Sequence, residues 1–209
     1  KVIYRGGVNF LIDEIVLLQI GIQKNEWDRI NLIEKSFFNN FFEEVNNMYN
    51  SWYDVFPEIV MISDKELQKK VVETYEEALK TGGWQLNDID TIPFTLLIPD
   101  TVISYRTHVR TVTRMSMKAY EEWEVYGEKF KLNKDYLLAG ALLHDVGKLI
   151  EYEKTADGKT QKSQLGKNLR HPFSGCALAV KHRLPVEVAH IIANHAKEGD
   201  GTLRSPEGV

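Results

Sequence analysis

The stretch ALLHDVGKLI, residues 141–150, decides how this chain is read. Ala141, Leu142 and Leu143 are the apolar run of a helix heading into a core. Yet they deliver His144 and Asp145 side by side, and Lys148 follows before Leu149 and Ile150 resume the run. A carboxylate carried into an apolar interior without a cation or donors costs several kcal/mol. Neighbouring helical residues point about 100° apart, so one ion beside the helix flank is within reach of both side chains, and Gly147 leaves that flank clear. A neutral imidazole next to a carboxylate suits a divalent ion of the Fe, Mn, Co, Ni or Zn kind.

The other histidines extend the pattern. All six (108, 144, 171, 182, 190 and 195) lie in the second half of the chain. His108 falls on an apolar helical stripe with Val112, Met115 and Ala119. His171 opens a helix after a basic loop, and His195 is in line with Val188 and Ile192 on an apolar face. Four imidazoles and one carboxylate from four segments are better explained by a metal centre than by separate coincidences. His182, in VKHRLP, is expected in solvent at a polar turn. His190 sits roughly 140° around the helix from His195, so it is expected to be structural.

Around these residues almost everything reads helical. SDKELQKKVVETYEEALKTGG, residues 63–83, opens with Ser63 three residues before Glu66, a capping-box spacing, and closes on Gly82-Gly83. TVISYRTHVRTVTRMSMKAYEEWEVYG predicts a helix ending at Gly127, and Asn133 is the expected cap of the helix that carries His144. Residues 151–170 break all periodicity and read as a long polar loop. HPFSGCALAVKHR and LPVEVAHIIANHAKEG are two short helices, with Pro185 in the first turn of the second. Residues 90–101, with Pro93 and Pro99, form a connector. Residues 26–56 are dense in aromatics, from Trp27 to Phe56, and read as one or two amphipathic helices packing a core; a dimer surface is the other reading.

Composition narrows the class. The chain has 209 residues, 43% hydrophobic and 27% charged, ordinary for a globular protein. A single cysteine, Cys176, excludes a disulfide framework and points to a cytoplasmic setting. No apolar run approaches the roughly 20 residues of a membrane span, and residues 8–20 are too short and carry Asp13 and Glu14. Residues 1–100 hold nine Lys/Arg against seventeen Asp/Glu, and residues 101–209 seventeen against thirteen. The basic half suits an anionic ligand, while the acidic half is a poor grip for nucleic acid.

The ordered set H…LLHDVGK…H…H resembles the HD superfamily of metal-dependent phosphohydrolases, over residues 101–209. HDVGK is close to the HDIG variant of the family's defining doublet. His108 corresponds to the first ligand, and His171 and His195 to the two further histidines of members that hold two metals. TQKSQLGKNLRHPFSG and the tail ending in SPEGV are similar to HD-type ribonucleases. The resemblance implies an all-α helical bundle at residues 96–209, preceded by an additional helical region at 1–95 of unreadable role. It also implies an aspartate on a helix after SPE. The sequence ends at Val209, so the expectation is that this domain continues beyond it, or that Asp200 or Glu198 substitutes.

The chemistry that the resemblance implies is phosphoester hydrolysis of a nucleotide, cyclic phosphate or oligonucleotide. One or two divalent ions (Fe, Mn, Ni, Co or Zn) would be held by His108, His144, Asp145, His171 and His195, and would lower the pKa of bound water. Asp145 would bridge them, with Lys148 assisting catalysis. Arg170, Lys167 and Arg106 are candidate phosphate contacts. Two other readings stand beside it. One is a di-iron oxygenase of the same fold, and the other is a non-catalytic module binding a nucleotide or metal as a signal. No membrane partner is expected, and a homodimer is compatible with the aromatic first half.

Overall fold

A computed structural model of the chain describes residues 49–127 and 131–209. The apolar stretch at 8–20 and the aromatic residues before Tyr49 lie outside the described residues. Tyr49, Trp52 and Phe56 are buried, as a core-packing segment requires, and Tyr53 is exposed. Trp52 opens a short helix, α1 (Trp52–Val55), capped by the Ser51 side chain. Its ring stacks on Tyr75, the centroids 4.5 Å apart.

Helix α2 (Lys65–Gly82) buries Leu67, Val71, Tyr75 and Ala78 on one face. Its N-cap is Asp64, not Ser63. The backbone N–H groups of both residues donate to the Asp135 carboxylate, at 2.8 and 2.9 Å, so Ser63 is tied to another helix and the cap moves on by one. The helix stops where Gly83 turns left-handed, φ +73°, a conformation that costs glycine little. Trp84 then sends its indole N–H to the Leu149 carbonyl, 2.9 Å away. The connector folds back on itself through a bridge between Pro93 and Ser104.

Helix α3 (Tyr105–Glu124) buries Tyr105, Val109, Thr113 and Met117. The stripe read from the sequence is therefore one step off. Met115 is 66% exposed, and His108 and Val112 line a cavity instead. Helix α4 (Lys134–Leu143) has the expected Asn133 cap and packs against α3, α2 and α8. It does not run on through the HDVG residues. They form tight turns, with Val146 N–H bonded to the Leu143 carbonyl and Lys148 N–H to the Asp145 carbonyl, before α5 (Lys148–Glu151).

The predicted polar loop is partly ordered: strands β1 (Tyr152–Lys154) and β2 (Thr160–Lys162) pair antiparallel, and α6 (Gln164–Asn168) follows, capped by Ser163. Helices α7 (His171–Lys181) and α8 (Val186–Asn194) pack on each other and close the bundle, with Pro185 as the N-cap of α8. The architecture is helical apart from this small hairpin, as expected. Residues Tyr49–Val209 form one compact unit. Among the described residues no helix is long and apolar enough to cross a membrane.

Candidate metal centre

Every residue from Ala141 to Tyr152 is buried. That includes His144, Asp145 (1% exposed), Lys148 and Glu151 (1% exposed). The polar groups of this run are thus satisfied inside the bundle, and their partners define the site.

The two oxygens of Asp145 face different imidazole pairs. Oδ2 lies 3.1 Å from His108 Nε2 and 3.2 Å from His144 Nε2. Oδ1 lies 3.2 Å from His171 Nε2 and 3.3 Å from His195 Nε2. Within each pair the Nε2 atoms are 3.1 and 3.2 Å apart. Helix α3 supplies His108, the α4–α5 turn His144 and Asp145, the start of α7 His171, and the end of α8 His195. The structure thus brings together all five residues read from the sequence as ligands.

The tautomers can be argued from the acceptors. His144 Nδ1 faces the Ala141 carbonyl at 2.7 Å, His195 Nδ1 the Ile192 carbonyl at 2.8 Å, and His171 Nδ1 the Glu151 carboxylate at 2.7 Å. Carbonyls and carboxylates only accept, so each Nδ1 carries a proton, and Nε2 is the atom each of these rings turns toward Asp145. Nitrogens and carboxylate oxygens gathered some 3 Å apart need positive charge among them, from protons or from a metal ion. Donors about 2.1 Å from one ion would be roughly 3.0–3.4 Å from each other, the spacing found here. Two groups of three donors, His108–His144–Asp145 and Asp145–His171–His195, can therefore each hold an ion. Nitrogen and oxygen donors of this kind suit Fe, Mn, Co, Ni or Zn.

The electrostatics keep Asp145 as the anion that a cation site requires. Burial alone would push the Asp145 carboxyl up, but His144, His108 and His171 hold it well below the usual carboxylate range. Burial pushes the His195 imidazole down, toward the neutral form a ligand needs. His171 is moved the other way: burial opposes its charge, yet Asp145 and Glu151 together raise it. A cation held there competes with that proton. Lys148 donates to Asp145 Oδ2 at 2.7 Å and to the Phe94 carbonyl at 2.6 Å.

A cavity of about 730 Å³ opens on this cluster. One part of its lining is polar and basic, with Lys148, Lys162, Arg170 and Arg204; Phe94, Leu96, Leu97, Ile98, Val112 and Ile191 make an apolar wall. The Phe94 ring lies beside His108, centroids 5.2 Å apart. Arg170 lines the cavity, but its guanidinium is drawn to Glu198 at 3.1 Å and Glu151 at 3.4 Å. Arg106 and Lys167 are not among the lining residues: Arg106 donates to the Val55 carbonyl and sits over the Tyr49 ring, and Lys167 is exposed at the end of α6. Glu198 is engaged by Arg170, and Asp200 is exposed beside Arg204, so neither belongs to the donor groups. His190 is structural, accepting from the Ser205 N–H at 3.1 Å. His182 is not free in solvent; it is half-buried against Glu77, 2.7 Å away.

Glu151 and Phe94 were not anticipated. For Glu151 a signal exists. It directly follows Leu149-Ile150 and is a second carboxylate at the edge of the apolar run. For Phe94, in an irregular connector, no periodic signal exists.

A bundle whose central turn carries an adjacent His-Asp pair, with imidazoles converging from three other helices, is the arrangement of an HD domain. Residues 105–208 match the family model described as HD domain, and the chain belongs to that family. A dihydroneopterin 2',3'-cyclic phosphate phosphodiesterase from Methanocaldococcus jannaschii is 31% identical over 159 residues, covering 71% of this chain and 59% of the relative. The chain thus spans less than two thirds of that relative's length. No solved structure gives a significant match.

Proposed function

We propose that this chain is a metal-dependent phosphohydrolase acting on the cyclic phosphate of a small, nucleoside-sized molecule. The observation that carries the reading is the Asp145 carboxylate, each oxygen of which closes a separate three-donor group. His108 and His144 would hold one ion, His171 and His195 the other, and Asp145 both. When bound, such ions supply Lewis acidity toward phosphoryl oxygens and an acidified water as nucleophile.

The rest falls to the protein's own side chains. Lys148 donates to Asp145 Oδ2 and is among the residues lining the cavity, where its ammonium would meet a phosphate. The apolar wall from Phe94 to Ile98 offers a surface for the uncharged end of the substrate. A cavity of about 730 Å³ is within the roughly 300–1,000 Å³ common for small-molecule sites. It suits one nucleoside-sized ligand better than an oligonucleotide. The relative's name, which specifies a 2',3'-cyclic phosphate, supports the cyclic phosphate choice.

The test is a panel of nucleoside 2',3'-cyclic phosphates, linear phosphodiesters and phosphomonoesters. Each is offered to protein loaded with Mn²⁺, Fe²⁺, Co²⁺, Ni²⁺ or Zn²⁺. Ring opening of cyclic phosphates, abolished by chelator and by His144→Ala, is expected. Metal-loaded protein that turns over no phosphoester would overturn the proposal.

A further inference from the structure

Glu151 lies outside both donor groups, yet it is as buried as Asp145. One of its oxygens, Oε2, accepts two hydrogen bonds from a single residue: from the His171 backbone N–H at 2.8 Å and from His171 Nδ1 at 2.7 Å. The other oxygen faces Arg170 at 3.4 Å and Lys162 at 3.6 Å. Its own backbone is pinned as well. The carbonyl accepts from Ser163 N–H at 2.9 Å, and a Cβ on Gly166 would stand 2.0 Å from that carbonyl oxygen. The hairpin and α6 are thus packed down on one carboxylate, and that carboxylate grips one imidazole.

We infer that Glu151 is the positioning residue of the Asp145–His171–His195 group, fixing the His171 ring so that its Nε2 faces the Asp145 carboxylate. The asymmetry between the two groups is the basis. His144 and His195, each just past the end of its helix, are oriented by neutral carbonyls three residues back, in the last turn. His171 begins its helix, where no such carbonyl precedes it, and a remote carboxylate takes that place. A charge-assisted bond is roughly twice as strong as a neutral one. It also raises the basicity of the ligating nitrogen, and loss of such a partner commonly costs 10–100-fold in metal affinity. The prediction is specific: Glu151 serves one ion position and not the other.

This rests on the reading of the cluster as a two-ion centre, and the experiment separates the two. Co²⁺ is titrated into the full chain, followed by visible absorption and metal analysis, in two backgrounds that each leave one group intact. In His108→Ala, where the His171–His195 group remains, Glu151→Ala is expected to weaken Co²⁺ binding about 10–100-fold. Glu151→Gln, which keeps size and an acceptor oxygen, is expected to give a smaller loss in the same background, and it carries the test if the alanine variant does not fold. In His195→Ala, where the His108–His144 group remains, neither change at 151 is expected to move the affinity. Equal weakening in both backgrounds, or none in His108→Ala, would overturn the role of Glu151 while leaving the two-ion reading intact. Wild-type protein that binds no Co²⁺ would sink both.

Discussion

The backbone of Gly147 passes so close to His171 that a Cβ at 147 would stand 2.1 Å from the His171 carbonyl oxygen. The opposing atom belongs to a main chain and not to a flexible side-chain end. Ser174 Oγ, at 2.6 Å from the same point, closes off any sideways escape. Gly147→Ala must therefore push the α4–α5 turn, which carries Asp145, away from the start of α7, which carries His171. Overpacking of this kind costs about 1–3 kcal/mol. A urea midpoint lowered accordingly is expected, together with weaker Co²⁺ binding, because Asp145 lies only two residues before the altered position. Wild-type stability with unchanged binding would contradict the geometry.

That contact also shows what the sequence could and could not reveal. The need for a bare flank after His144-Asp145 was legible from Gly147 itself, and the five candidate ligands were legible because buried polar groups stand out in apolar periodic sequence. The helices were legible where their periodicity was long: α2, α4, α7 and α8 lie close to where their patterns put them. The buried face of α3 was misjudged by one position, since Tyr105, Val109, Thr113 and Met117 make as good a stripe as the one containing His108, and only the packing of α4 selects between them. The hairpin at 152–162 was invisible because three-residue strands carry no usable alternation. Arg170 read as a candidate phosphate contact, with no sign of its ties to Glu151 and Glu198, because these partners are distant in sequence.

Asp145→Asn retains the size of the side chain and removes its charge. Both donor groups share this carboxylate, so both ions should be lost together. The loss of affinity should exceed the roughly 100-fold upper end for losing a mere orienting partner. Metal analysis of the purified variant checks this. A variant that still holds one ion at wild-type affinity would show that Asp145 does not bridge.

Lys148→Met separates metal binding from catalysis. The ammonium contacts Asp145 Oδ2 and the Phe94 carbonyl but is no ligand, and its positive charge works against a cation nearby. Methionine fills the same channel. Metal content is expected to be unchanged, while kcat on a cyclic phosphate falls about 100-fold or more, within the roughly 10²–10⁴-fold typical of a positioned proton-transferring group. An undiminished kcat would remove Lys148 from the catalytic machinery.

Phe94→Ala tests the apolar wall. The ring lies against His108, so a flat substrate ring packed on it would be held close to the first donor group. Stacking on an aromatic side chain is worth about 1–3 kcal/mol. KM for a nucleoside 2',3'-cyclic phosphate is expected to rise roughly tenfold. KM for a ring-less analogue such as glycerol 1,2-cyclic phosphate should barely change. Equal effects on both substrates would mean that the wall does not read the ring.

The last prediction concerns stability away from the site. Glu77 on α2 accepts hydrogen bonds from Lys181 and from His182 Nε2 on the far end of α7. The Lys181 hydrogen bond, with His182 adding to it, lowers the Glu77 carboxyl below its ordinary value of 4.5. A carboxylate depressed in the folded state adds stability above its unfolded pKa, and that contribution is lost as the pH falls through the folded value. The side chain is a quarter exposed, 26%, so screening limits the effect to below about 1 kcal/mol. Glu77→Gln should therefore unfold at a slightly lower urea concentration than wild type at pH 7, with the gap closing as the pH is taken below 4. A gap that widened toward acid would mean that Glu77 is not held as the anion between these two helices.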